Sequence, residues 1–304
     1  MDPINPQNQG VDIDDLFEQG VQDDVLSQDA AASLRRVNLN HRIRPALGVD
    51  IERLAASQMV LVTGLIDDSA SIRVWSRDEN GNPVTDEHGN RVNNAMLMRE
   101  AQNIMRTGVL EESRGGQDIT CSVRFLNPSI PDPHDPSGMT DILCNYVLLS
   151  QVPLLTEQNY DPRGQTPLYD QMAVTLATTQ AEMLRYNALN MPCRCIVYII
   201  TDGADYGSRT HNPRTIRPIV ESMLAQEDNI ILVWGIQDDQ GTNFRDVFTS
   251  CGIPDDLIIT SANTVSEIRR IGGLYSRSVS RASRTAGGAV TTASQVRNAF
   301  QWDS

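Results

Sequence analysis

The stretch LIDDSASI at residues 65–72 closes an apolar run with two carboxylates and then sets hydroxyls at alternate positions. Alternate spacing lets one extended turn point Ser69 and Ser71 the same way, beside Asp67. Two further oxygen-bearing side chains stand at comparable places: Thr166 in RGQTPLYD, where a helix-forming segment begins, and Asp202 at the end of CRCIVYIITD. Asp67, Ser69, Ser71, Thr166 and Asp202 contain no nitrogen or sulfur donor. Such a set suits a hard cation, Mg2+ or Mn2+, whose octahedral shell it can fill with help from water. Catalysis finds less support. His134 and His211 read as surface residues in loops, and the chain has no G-x-S-x-G, no phosphate-cradling G-x-x-x-x-G-K and no H-E-x-x-H. No catalytic residue is assigned; a metal-dependent hydrolase or phosphatase is the alternative to a binding domain.

The elements that must position these residues are legible as patterns. MVLVTGLI (59–66) and CRCIVYIIT (193–201) are continuous apolar runs rich in β-branched residues, as in strands buried on both faces. ITCSVRFL (119–126) and ILCNYVLLSQ (142–151) read as two strands joined by a long Pro/Asp-rich loop and paired as a hairpin. AMLMREAQNIMRTGVL (95–110) predicts a helix that stops at Gly108, and residues 166–189 a helix with Pro in its first turn. Beyond residue 213, RTIRPIVESMLAQED, IILVWGI, NFRDVFTSCG, LIIT and TVSEIRRIGGLYSRSV alternate helix with strand. The expectation is an α/β fold: a doubly wound, mostly parallel central sheet with one antiparallel edge strand and helices on both faces. In such sheets ligands bind beyond the carboxyl ends of the strands, where strand order reverses, and Asp67 and Asp202 both end strands.

The 304 residues carry a net charge of −14, and all 25 basic residues are Arg. So acidic a chain argues against nucleic acid, which needs a concentrated basic surface. Residues 1–30 hold eight acids and no basic residue, which predicts an acidic disordered tail over 1–40, a folded domain over 41–280 and a flexible C-terminal tail over 281–304. Within the domain, residues 73–94 form a hairpin-like insertion: DENGNPV (78–84) recurs as DEHGNRV (86–92), with turns at Asn80-Gly81 and His88-Gly89. The first copy resembles a calcium loop but lacks glycine at the sixth position and an acid at the twelfth. The five cysteines, including the Cys193-x-Cys195 pair, read as buried reduced thiols. No apolar stretch approaches the roughly 20 residues of a membrane span, and the first residues have no signal-peptide pattern, so the expectation is a cytoplasmic protein without membrane contact.

With these residues in view, the chain resembles the von Willebrand factor A-type (vWA) family. D-x-S-x-S (67–71), G-Q-T-P-L-Y-D (164–170) and I-I-T-D-G (199–203) are similar, in order, to the three parts of that family's metal-ion-dependent adhesion site (MIDAS). The resemblance spans about residues 55–280, with Ala70 where Gly is common and the 73–94 insertion as departures. It implies a Rossmann-like fold of intracellular type. It also implies a metal held by Ser69, Ser71 and Thr166, with Asp67 and Asp202 acting mainly through water, and one position left for a partner's Asp or Glu. The function it implies is metal-dependent protein–protein interaction without enzymatic activity, in an adaptor for an AAA+ ATPase or a stress, defence or ubiquitin-like system. The last of these fits a chain free of lysine.

Overall fold

The structure, a computed structural model, describes residues 13–36, 59–77, 80–85, 89–112, 118–127, 141–226, 229–237, 241–262 and 264–285. Six strands form one mixed sheet: β1 (Met59–Ile66), β2 (Ile119–Phe125), β3 (Ile142–Leu148), β4 (Cys193–Thr201), β5 (Ile230–Ile236) and β6 (Ile258–Ser261). Their order is β3-β2-β1-β4-β5-β6. All pairings are parallel except β2 with the edge strand β3. Every residue of β1, β2 and β5 is buried; β1 and β5 are accordingly near-continuous apolar runs, whereas β2 buries Thr120, Ser122 and Arg124 between its apolar residues. The chain runs outward from β1 through β2 to β3 and then crosses back to β4 on the other side of β1. Strand order therefore reverses between β1 and β4.

Among the described residues, seven helices accompany the sheet: α1 (Ile13–Gln22), α2 (Gln28–Leu34), α3 (Asn94–Glu112), α4 (Leu168–Ala188), α5 (Pro213–Ala225), α6 (Phe244–Ser250) and α7 (Val265–Thr285). Gly108 does not stop α3, which runs on to Glu112. A Cβ at position 108 would overlap the Ser276 hydroxyl of α7, and one at Gly272 would meet Ala101, so small residues here let two helices approach closely.

Residues 13–36 correct the expectation of a disordered tail. Ile13 and Phe17 on α1, then Leu26, Ala30 and Leu34, are buried, while Asp14, Asp15, Glu18, Asp23 and Asp24 face outward. Ser27 caps α2 by accepting from the Ala30 N–H at 3.1 Å, and its own N–H donates to Ser222 Oγ on α5 at 3.1 Å. Gln226 Nε2 donates to the Val25 carbonyl at 2.7 Å. With α1 packed on α4 and α2 on α5, α4 has almost no exposed face from Gln171 to Tyr186, although that stretch includes Thr175, Thr178, Thr179, Gln180, Glu182 and Arg185. At the other end, α7 continues to Thr285, past the expected boundary at residue 280. Residues 1–12, 37–58 and 286–304, including a short helix expected near residues 49–57, lie outside the described residues.

The 73–94 insertion stays out of the sheet. Its eight-residue repeat aligns Ser76, Val84 and Val92 in a ring of backbone bonds: Ser76 N–H to Val92 at 2.9 Å, Val84 N–H to Ser76 at 3.1 Å and Val92 N–H to Val84 at 3.0 Å. Gly81 and Gly89 have φ of 81° and 79°, the left-handed values that tight turns need. The excursion closes where Asn94 N–H donates to the Val74 carbonyl at 3.0 Å, and α3 begins there.

Candidate functional site

Beyond the last residue of β1 the parallel pairing continues by one bond, from Asp67 N–H to the Ile200 carbonyl at 2.8 Å. This places Asp67 between the ends of β1 and β4, fully buried. Its Oδ1 accepts from the Ser69 N–H at 2.8 Å and its Oδ2 from Thr201 Oγ1 at 2.6 Å. Burial pushes the Asp67 carboxyl up from its ordinary range, against the lowering effect of those hydrogen bonds. The turn that Asp67 holds carries Ser69 and, in the short 3-10 turn Ala70–Arg73, Ser71. The two hydroxyls lie 2.8 Å apart, and Ser71 Oγ donates to Asp202 Oδ1 at 2.7 Å.

Thr166 reaches the same place from the loop before α4. Its backbone exchanges two hydrogen bonds with Tyr206, at 2.9 and 2.8 Å, so the loop after Asp202 and the loop before α4 are bridged. The bridge is reinforced on both sides. Asp205 Oδ1 and Ser208 Oγ accept from the Tyr169 and Asp170 N–H groups at the start of α4, at 3.2 and 3.0 Å. In return the Asp170 carboxylate accepts from the N–H groups of Arg209, Thr210 and His211, at 2.8, 3.1 and 2.7 Å.

These loops enclose an open cleft of about 630 Å³ at the carboxyl edge of the sheet. Ser69, Ser71, Thr166 and Asp202 line it, with Asn94, Gln165, Asp205 and Gln237 among the other polar walls. Asp67 does not line it; it stands behind, holding Ser69. Val74 and Tyr206 form part of the wall, and Tyr206 is 71% exposed although its backbone is pinned. His211 is buried elsewhere, against Thr215, and His134 lies outside the described residues.

Three further residues shape the site. Asp68 turns away from the cleft, its Oδ1 accepting from Asn127 N–H and Nδ2, and burial pushes its carboxyl up to about 7 against the lowering by Asn127. Tyr160, buried against Phe125, donates its phenol to the Asp67 carbonyl at 2.5 Å. Asn127 and Tyr160 sit in irregular segments, where pattern says nothing about contacts. Asp170 differs: it stood inside a quoted motif, and only its role was missing.

No family model and no curated protein matches the chain. Solved structures similar to it include the pilus adhesin SpaC from Lactobacillus rhamnosus GG in its open conformation, at 12% identity and a TM-score of 0.48 over 74% of this chain and 30% of that one. Another is the PilB minor pilin from Streptococcus sanguinis, at 12% identity and a TM-score of 0.45 over 75% and 62%. The chain thus spans less than a third of the adhesin's length and under two thirds of the pilin's.

These findings correct the family reading. No family model supports vWA membership, and the similar structures are described as a pilus adhesin and a minor pilin rather than as intracellular proteins. The vWA assignment is withdrawn, and with it MIDAS and magnesium as family properties, because among the described residues no group of three or more His, Cys, Asp or Glu could hold a metal. The physical reason is local: the third acid of the region, Asp68, faces Asn127, leaving two carboxylates among hydroxyls. The metal-dependent intracellular adaptor, built on that reading, is likewise set aside. So is the cytoplasmic location, since the neighbours are pilus proteins. The reduced cysteines and missing apolar span on which that location rested do not identify a compartment. Among the described residues no helix is long and apolar enough to cross a membrane.

Proposed function

We propose that the protein is an adhesive recognition domain, holding a partner at the cleft beyond the carboxyl ends of β1 and β4 without transforming it. The observation that carries this reading is the convergence of side-chain oxygens on the cleft floor. Ser69 Oγ lies 2.8 Å from Ser71 Oγ, which in turn donates to Asp202 Oδ1 at 2.7 Å, so hydrogen bonds hold three side-chain oxygens from two loops together at the cleft. The donors are all oxygens, the chemistry that a hard divalent cation takes. We assign Ser69, Ser71, Thr166 and Asp202 to the shell of a Mg2+ or Mn2+ ion, with Asp67 acting from behind because it does not line the cleft and holds Ser69 by its N–H. When bound, such an ion supplies the positive charge that an otherwise acidic cleft needs to accept a carboxylate. The partner is then another protein presenting Asp or Glu.

A doubly wound, Rossmann-like arrangement supports this placement, since the cleft lies where strand order reverses. The test is to pan random displayed peptides on the immobilised chain in Mg2+. The expected survivors contain an Asp or Glu whose replacement by Asn or Gln abolishes capture, and they are lost with Asp202→Ala. Peptides that bind equally in EDTA, or that lack any acid, would refute the reading.

A further inference from the structure

We infer that Asp68 and Asn127 are positioning residues that set the loop carrying Thr166 against the turn carrying Ser69 and Ser71. The inference rests on the cleft being the recognition site proposed above. Neither residue lines the cleft. Asp68 is 6% exposed, and its Oδ1 accepts from both the Asn127 N–H, at 2.8 Å, and Asn127 Nδ2, at 3.1 Å. The amide has a second hydrogen, and Nδ2 also donates to the Gln165 carbonyl at 2.7 Å. One side chain, entering from the end of β2, therefore ties the residue after Asp67 to the residue before Thr166.

Backbone bonds run alongside this tie: Arg163 N–H to the Asp68 carbonyl at 2.5 Å and Ala70 N–H to the Gly164 carbonyl at 3.3 Å. Gly164 is confined on two counts. Its φ of +85° is left-handed, and a Cβ there would lie 2.6 Å from Asn127 Oδ1. The loop is thus pressed onto the Asn127 amide with no room for a side chain between them. Thr166 follows two residues later, so its hydroxyl inherits its position from this contact. A displacement on the order of 1 Å at such a donor is enough to spoil a preorganised site.

The test uses Asp68→Ala, Asp68→Asn and Asn127→Ala in the full chain, each checked for folding by circular dichroism. Two readouts are taken: Mn2+ affinity by titration, and hydrogen exchange of the amides in residues 163–168 without metal. Asp68→Asn keeps an acceptor oxygen toward Asn127 and should stay within about threefold of the parent in affinity, with exchange unchanged. Asp68→Ala and Asn127→Ala should weaken Mn2+ by about tenfold or more and speed exchange in 163–168. If the alanine variants match the parent in both readouts, or if Asp68→Asn fails as badly as Asp68→Ala, the positioning role is overturned. If the parent itself binds no Mn2+, the cation reading falls, while the exchange rates alone decide whether the pair sets the loop.

Discussion

Tyr160 gives its phenol to the main chain of the site, not to a ligand, so its loss separates scaffold from function. Tyr160→Phe leaves the buried Asp67 carbonyl without that donor and should cost about 1 kcal/mol in denaturant unfolding, with Mn2+ affinity changed little. An unchanged midpoint would mean that water replaces the phenol. His211 offers a second test. Burial holds its imidazole below the usual range, against the raising effect of Asp170. The folded state therefore prefers the neutral ring, and as pH falls through the ordinary histidine range the unfolded chain takes up more protons and stability is lost. His211→Gln should lessen the drop in Tm between about pH 7.5 and about pH 5.5. An unaltered slope would assign that loss to other groups.

Helices α3 and α7 meet through small residues, which makes Gly108 a packing position. Gly108→Val should destabilise the fold by about 1–3 kcal/mol through overpacking against Ser276. Gly108→Ala should be rescued in part by Ser276→Gly, and a double-mutant cycle without coupling would place the strain elsewhere. The insertion between the 3-10 turn and α3 closes on its own ring of backbone bonds, and its two ends supply Val74 and Asn94 to the cleft. Replacing residues 77–91 with a short Gly/Ser linker should therefore spare folding while weakening capture of acidic peptides. Equal capture would show that the insertion takes no part in recognition.

On the scale of the molecule, α1 and α2 complete the core by covering α4 and α5. Each large apolar side chain they bury, Ile13, Phe17, Leu26 and Leu34, is worth about 1.5–3 kcal/mol, so deleting residues 1–36 should lower Tm sharply and expose apolar surface to dye. A truncated chain that melts like the parent would show the two helices to be dispensable. Acid content hid them: the charges of α1 lie on its outer face, while Ile13, Leu16, Phe17 and Gly20 keep helical spacing inward. The same confusion of composition with position made Gly108 look like a helix stop. Strands were readable because burial on both faces leaves an unmistakable apolar run, and the places where MVLVTGLI and CRCIVYIIT end mark the carboxyl edge directly. That much of the fold and site, including the oxygen donors at strand ends, the amino-acid sequence determined by itself. Only the tertiary structure decided that Asp67 withdraws behind the cleft, that Asp68 turns to Asn127 59 residues away, and that Tyr160 and Asp170 brace the loops. Local pattern records how much water each residue sees; which loop meets which depends on strand order, and strand order is set by packing between segments far apart in the chain.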